Sequence, residues 1–100
     1  MDIHQLRRKQ RRGRILRALD MVYPGDLPTK TLVMMLAEAR LPADETKVSR
    51  DLAYLEDKDY VRLEVIDDMG DELHVARLTA HGKDLLEGNI IQDCGVTIEL

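Results

Sequence analysis

The stretch "YVRLEVIDDMGDELHVARL", Tyr60 to Leu78, decides the fold. Tyr60, Val61, Leu63, Val65 and Ile66 form a β-rich run, and Leu73, Val75, Ala76 and Leu78 return with mostly alternating apolarity. Between them Asp67, Asp68, Met69, Gly70 and Asp71 supply the residue types that turns use. The segment is expected to form a two-stranded β-ribbon with an acidic tip.

Working outward, Asp44 is placed to cap a helix from about Glu45 to Lys58. Val48, Leu52 and Leu55 line one side of it at spacings of four and three, and Thr46, Lys47, Ser49, Arg50, Ala53 and Asp57 line the other. Tyr54, near the edge of the apolar side, reads as packing. Before the connection "ARLPAD", Thr29 follows Pro28 as the expected cap of a helix striped by Leu32, Val33, Leu36 and Ala37, with Met34 and Met35 as core and half-exposed filler. Ile3, Leu6, Ile15, Leu16, Leu19 and Val22 recur at helical spacings and "YPGD", Tyr23 to Asp26, ends that first helix. Gly13 argues against its continuity, and residues 1–8 are a candidate flexible basic arm.

Beyond the ribbon, Thr79 is expected to cap the short helix "AHGKDLLEG", with Leu85 and Leu86 inward and Gly88 as its stop. The order helix, helix, tight turn, helix, strand, turn, strand, helix is that of a winged helix-turn-helix domain, mainly α with a two-stranded ribbon. It would occupy residues 1–88. Residues 89–100 form a tail with Ile90, Ile91, Val96 and Ile98, suited to a strand or a dimer contact.

One hundred residues suffice for one core. The chain is 44% apolar and 34% charged with three Pro and six Gly, a globular composition rather than a disordered one. No apolar run approaches the roughly 18 to 20 residues needed to span a bilayer, and no apolar stretch backs the basic N-terminus as a leader would require. Cys94 alone builds neither a disulfide framework nor a zinc site, so a reducing cytoplasm is the expected setting. The net charge of −4 conceals a polarity: residues 1–50 carry eleven Lys or Arg and six Asp or Glu, residues 51–100 four and thirteen.

Two stretches carry a family resemblance. "VSRDLAYLEDKDYVRLE", Val48 to Glu64, resembles the recognition-helix-to-strand segment of bacterial winged-helix regulators, and "ARLTAHGKDLLEG", Ala76 to Gly88, resembles the strand-to-helix junction of the MarR-like and PadR-like groups. The opening "MDIHQLRRKQRRGRILRAL", the core "SRDLAYLEDKDYV" and the Gly95–Val96 pair after the last helix look like the roughly hundred-residue winged-helix proteins of Mu-like phages and prophages. Such proteins are sometimes labelled ArsR-like, and the resemblance implies a regulatory or accessory role. Metal-sensing ArsR members use clustered ligands, whereas Cys94, His4, His74 and His81 are scattered here, so metal sensing is not expected.

Seven of the eleven residues from Arg7 to Arg17 are basic, a density that repels itself unless an anion or acidic partner is near. Arg7, Arg8, Lys9, Arg11, Arg12 and Arg14 are therefore candidate phosphate ligands, and Lys47, Ser49 and Arg50 are candidate groove contacts on duplex DNA. The competing reading is a solvated basic face, or one paired with the acidic half of a second copy in a homodimer. Asp67, Asp68, Asp71 and Glu72 would oppose phosphate, so they are either a solvated turn or a surface for a basic protein partner. No paired carboxylates, nucleophile motif or phosphate loop is present, so neither an enzyme, a cofactor nor a small-molecule ligand is expected.

Overall fold

The computed structural model describes residues 2–99. Its elements run α1 (Ile3–Asp20), β1 (Asp26–Pro28), α2 (Thr29–Glu38), α3 (Glu45–Asp57), β2 (Val61–Asp68), β3 (Asp71–Leu78) and α4 (Ala80–Glu87). The helices pack around Ile15, Leu16 and Leu19 of α1, Leu32 and Leu36 of α2, Val48 and Leu55 of α3, and Leu85 of α4. The sheet closes that core with Val61, Ala76 and Leu78, all buried. Burial of these side chains supplies the main stabilisation, about 1.5–3 kcal/mol for each large aliphatic residue.

The sheet has three strands in the order β1-β3-β2, not the two expected. The extra strand, Asp26–Pro28, pairs Asp26 with Arg77, Leu27 with Ala76 and Pro28 with Val75. Three residues ending in Pro read as a turn, yet an edge strand tolerates a proline because one of its sides needs no donors. Pro28 is accordingly still extended where α2 begins, at φ −61° and ψ 145°. Thr29 is thus the first residue of α2 rather than its cap, and no side chain caps that helix.

Asp44 and Thr79 do cap α3 and α4, accepting from Lys47 N–H at 2.8 Å and from Gly82 N–H at 3.0 Å. All three of the later helices end in a left-handed residue that satisfies the last carbonyls: Arg40 at φ 63°, Asp59 at φ 63° and Gly88 at φ 76°. The hairpin between β2 and β3 turns on Met69 and Gly70 at φ 55° and 94°, the two positive values of a type I′ loop. Asp67 accepts from Gly70 N–H at 3.1 Å, so this acid helps shape the turn. From Glu64 to Glu72 every residue of the ribbon is exposed, and its distal half therefore projects beyond the core.

α1 is continuous through Gly13 and helical from Ile3, so the candidate arm is ordered as helix. Gly13 serves packing: a β-carbon there would collide with the Thr97 carbonyl. The tail forms no strand among the described residues. It lies across α1 as an irregular strap, with Val96 buried and Thr97 N–H donating to the Lys9 carbonyl at 3.1 Å.

Candidate nucleic-acid interface

The nine candidate residues divide between two helices that touch through a buried ionic cluster. Arg11 donates through Nε to Asp51 Oδ2 at 2.7 Å, and Arg12 donates through Nε to Oδ1 of the same carboxylate at 3.2 Å. Asp51 is 1% exposed, the one charged side chain buried in the core among the described residues. A lone buried carboxylate would be costly, and two guanidiniums supply both the charge and the donors it needs. Arg12 also lies 3.8 Å from the centre of the Tyr54 ring and donates to the Gly95 carbonyl at 3.2 Å. Arg11 and Arg12 are therefore occupied within the chain, their side chains only 12% and 13% exposed.

Arg7, Arg8 and Arg14 are exposed, and Lys9 is half-buried beside the strap. Among the described residues none of these four makes an ion pair. Arg7 and Arg8 stand one helical turn before Arg11 and Arg12, so they extend the stripe of α1 that meets α3. On α3 the matching stripe is Lys47, Asp51 and Tyr54, at spacings of four and three. Lys47 therefore belongs to the side of α3 that faces α1. Lys47, Ser49 and Arg50 are all exposed, as are Thr46, Ala53 and Asp57 on the outer face.

The other flank of α3 has the opposite character. Between α3 and the ribbon runs a groove of about 580 Å³ lined by Glu45, Ser49, Glu56, Leu63, Glu64 and Val65, among others. Glu56 accepts from Leu63 N–H at 3.1 Å, and Glu64 pairs with Arg77 at 3.0 Å. Asp67, Asp68, Asp71 and Glu72 continue the acidity to the hairpin tip, where all four are exposed. Two cations of the second half are used locally, Arg77 on Glu64 and Lys83 on Asp20 at 2.6 Å, a bond that raises the Lys83 pKa, while Lys58 and Arg62 are exposed without an ion pair among the described residues. The boundary between basic and acidic surface thus runs along α3, basic toward α1 and acidic toward the ribbon.

A third group was not foreseen from the sequence. Asp93, in the strap, accepts from the Tyr54 hydroxyl at 2.7 Å, the Tyr60 hydroxyl at 2.9 Å and Gly95 N–H at 2.8 Å. Burial opposes its charge, but these three donors together hold its pKa below the usual carboxylate value. Burial, reinforced by the bond to Asp93, pushes both tyrosines up to about 12. Asp51 carried a legible signal, an acid three residues after Val48 and four before Leu55 on the inward stripe, opposite a run of arginines. Asp93 carried none, because its partners lie 39 and 33 residues away.

No protein-family model matches this chain, and no curated protein matches it. Solved structures do. A PadR family transcriptional regulator from Eggerthella lenta superposes with a TM-score of 0.63 at 20% identity, over 79% of this chain and 70% of that one. A PadR-like transcription factor from Bacteroides fragilis gives 0.62 at 21% identity, over 79% of each chain. Bacillus subtilis PadR, crystallised in complex with operator DNA, gives 0.59 at 18% identity over 86% of this chain, which spans about half (51%) of that longer protein. The fold is a winged helix. α2 and α3 form its helix-turn-helix and the β2–β3 hairpin its wing.

Proposed function

We propose that this chain is a small winged-helix protein that binds double-stranded DNA as a transcriptional regulator or accessory factor. The observation that carries the reading is the shared basic surface of α1 and α3. Arg7, Arg8, Arg14, Lys47 and Arg50 are exposed, without an ion pair among the described residues and gathered on two adjoining helices, whereas the ribbon sets Arg62 and Arg77 among Glu64, Asp67, Asp68, Asp71 and Glu72. Exposed cations without local partners are what phosphate contact requires, and Arg50 and Ser49 are types that also read base edges. Arg11 and Arg12 then act as struts that fix α1 on α3, leaving the grip to their neighbours. The similar fold of a Bacillus subtilis protein crystallised in complex with operator DNA supports the reading.

The resemblance of Met1–Leu19 and Ser49–Val61 to the small proteins of Mu-like phages favours a phage or prophage origin, and a DNA target places the work in the cytoplasm. Ile3 and Leu6, 54% and 39% exposed on α1, favour a homodimer that covers them. An electrophoretic or anisotropy titration with duplex DNA at low salt tests the reading, and a chain that leaves the duplex unbound ends it.

A second reading draws on the acidic groove. Glu45 and Glu56 beside the ribbon, with Asp67, Asp68, Asp71 and Glu72 at the wing, suit a basic protein partner better than a phosphate backbone. Under that reading Lys47→Ala with Arg50→Ala leaves partner capture intact, and charge reversal at Asp67 and Asp68 abolishes it.

A further inference from the structure

We propose that Asp93 is a positioning residue for the nucleic-acid surface, setting α1 against α3 through the strap; the inference rests on the DNA-binding reading above. The strap is bonded to both helices. Asp93 accepts from the Tyr54 hydroxyl of α3 at 2.7 Å, and from the Tyr60 hydroxyl just beyond α3 at 2.9 Å. Gly95 and Thr97 bind α1: the Gly95 carbonyl accepts from Arg12 at 3.2 Å, and Thr97 N–H donates to the Lys9 carbonyl at 3.1 Å. Farther along, the Glu99 carbonyl accepts from Arg17 at 3.0 Å.

The chain is shaped for this seat. Side chains at Gly13 and Gly95 would strike Thr97 and Tyr54 respectively, so the approach of strap to helix depends on both glycines. Arg12 joins the two sides, with its guanidinium stacked on Tyr54, its Nε on Asp51 and another nitrogen on Gly95. Release of Asp93 frees Tyr54 and loosens the Gly95 turn, and Arg12 loses a carbonyl partner. The basic N-terminal half of α1 then keeps only the Asp51 contacts and the stacking of Arg12 on Tyr54 as its polar ties to α3. Arg7 and Arg8 lie on that half, which is otherwise largely exposed.

The sign of the effect separates positioning from plain electrostatics. Asp93→Ala removes a negative charge, which by itself tightens binding to a polyanion. Positioning demands the reverse: an affinity for duplex DNA weakened roughly fivefold to tenfold, with the log–log salt dependence shallower by about two as Arg7 and Arg8 lose their phosphates. Tyr54→Phe, which deletes one hydroxyl and keeps the ring beneath Arg12, should weaken binding in the same direction without endangering the fold. Amide exchange across residues 3–12 supplies a readout without DNA, and both variants should lose protection there. Unchanged or tighter binding by both variants, beside firm binding by the unaltered chain, overturns this proposal and spares the DNA reading, as does unchanged exchange. An unaltered chain that ignores duplex DNA at low salt overturns both.

Discussion

Asp51 and Arg11 meet at 2.7 Å across the junction of α3 and α1, and the carboxylate is 1% exposed. This pair, with Arg12, removes two arginines from the basic run while anchoring the rest of it. Asp51→Ala leaves two guanidiniums crowded around an apolar methyl. Since removing one partner of a buried ion pair costs about 3–5 kcal/mol, the loss of stability should fall near the lower bound, about 3 kcal/mol, because the arginines retain some water. Urea denaturation measures it, and a loss under about 1 kcal/mol would show the cluster to be dispensable.

The arginines should separate into two classes by experiment. Arg7→Ala with Arg8→Ala should lower DNA affinity and reduce the salt dependence by about two, with stability nearly unchanged, since both are exposed. Arg11→Ala should do the opposite, destabilising the fold by leaving the buried Asp51 with Arg12 as its one remaining partner. Anisotropy titrations and denaturation curves on the same preparations compare the two, and equal salt slopes for the two changes would refute the division.

At the wing, Asp67→Asn with Asp68→Asn should leave duplex affinity within about twofold at 0.15 M salt, where charges more than about 8 Å from phosphate are largely screened. A tenfold gain would place the hairpin tip on the DNA backbone.

Stability should fall at both ends of the pH scale through one hydrogen-bonded group. Asp93 has a folded pKa below its ordinary 3.8, so its contribution is present above that value and is lost as pH falls through the folded pKa. Tyr54 and Tyr60 are raised from 10.0 to about 12, so their contribution is intact below pH 10 and is lost as pH rises toward 12. Melting followed by circular dichroism should show both limbs in the unaltered chain. Asp93→Asn should flatten the acid limb and bring tyrosine ionisation, read at 295 nm, to lower pH.

Arg40 closes α2 at φ 63°, where glycine is the unstrained choice. Arg40→Gly should stabilise the chain by about 0.5–1 kcal/mol, a gain limited by the added freedom of the unfolded chain. A loss in urea denaturation would mean that the Arg40 side chain contributes more than its backbone strain costs.

Local signals carried the fold far. The caps at Asp44 and Thr79, the Gly88 stop and the hairpin at Met69–Gly70 are short-range chemistry, and each is present. β1 was hidden because three residues through Pro28 form a strand only once β3 lies alongside. The site was less legible for a related reason. Composition displays the basic run of α1 but not which arginines face inward, a choice made by Asp51 forty residues away. The strap depends on the meeting of Asp93 with Tyr54 and Tyr60, which no periodicity announces.

The measurement that bears most directly on the central claim is duplex DNA affinity across a salt series from 50 to 300 mM, at constant pH. Phosphate contact by Arg7, Arg8, Arg14, Lys47 and Arg50 should give a log–log slope of about −4 to −5, at about 0.9 per contact. Absence of binding at about 50 mM, where such contacts are strongest, or a slope near zero, would contradict the account.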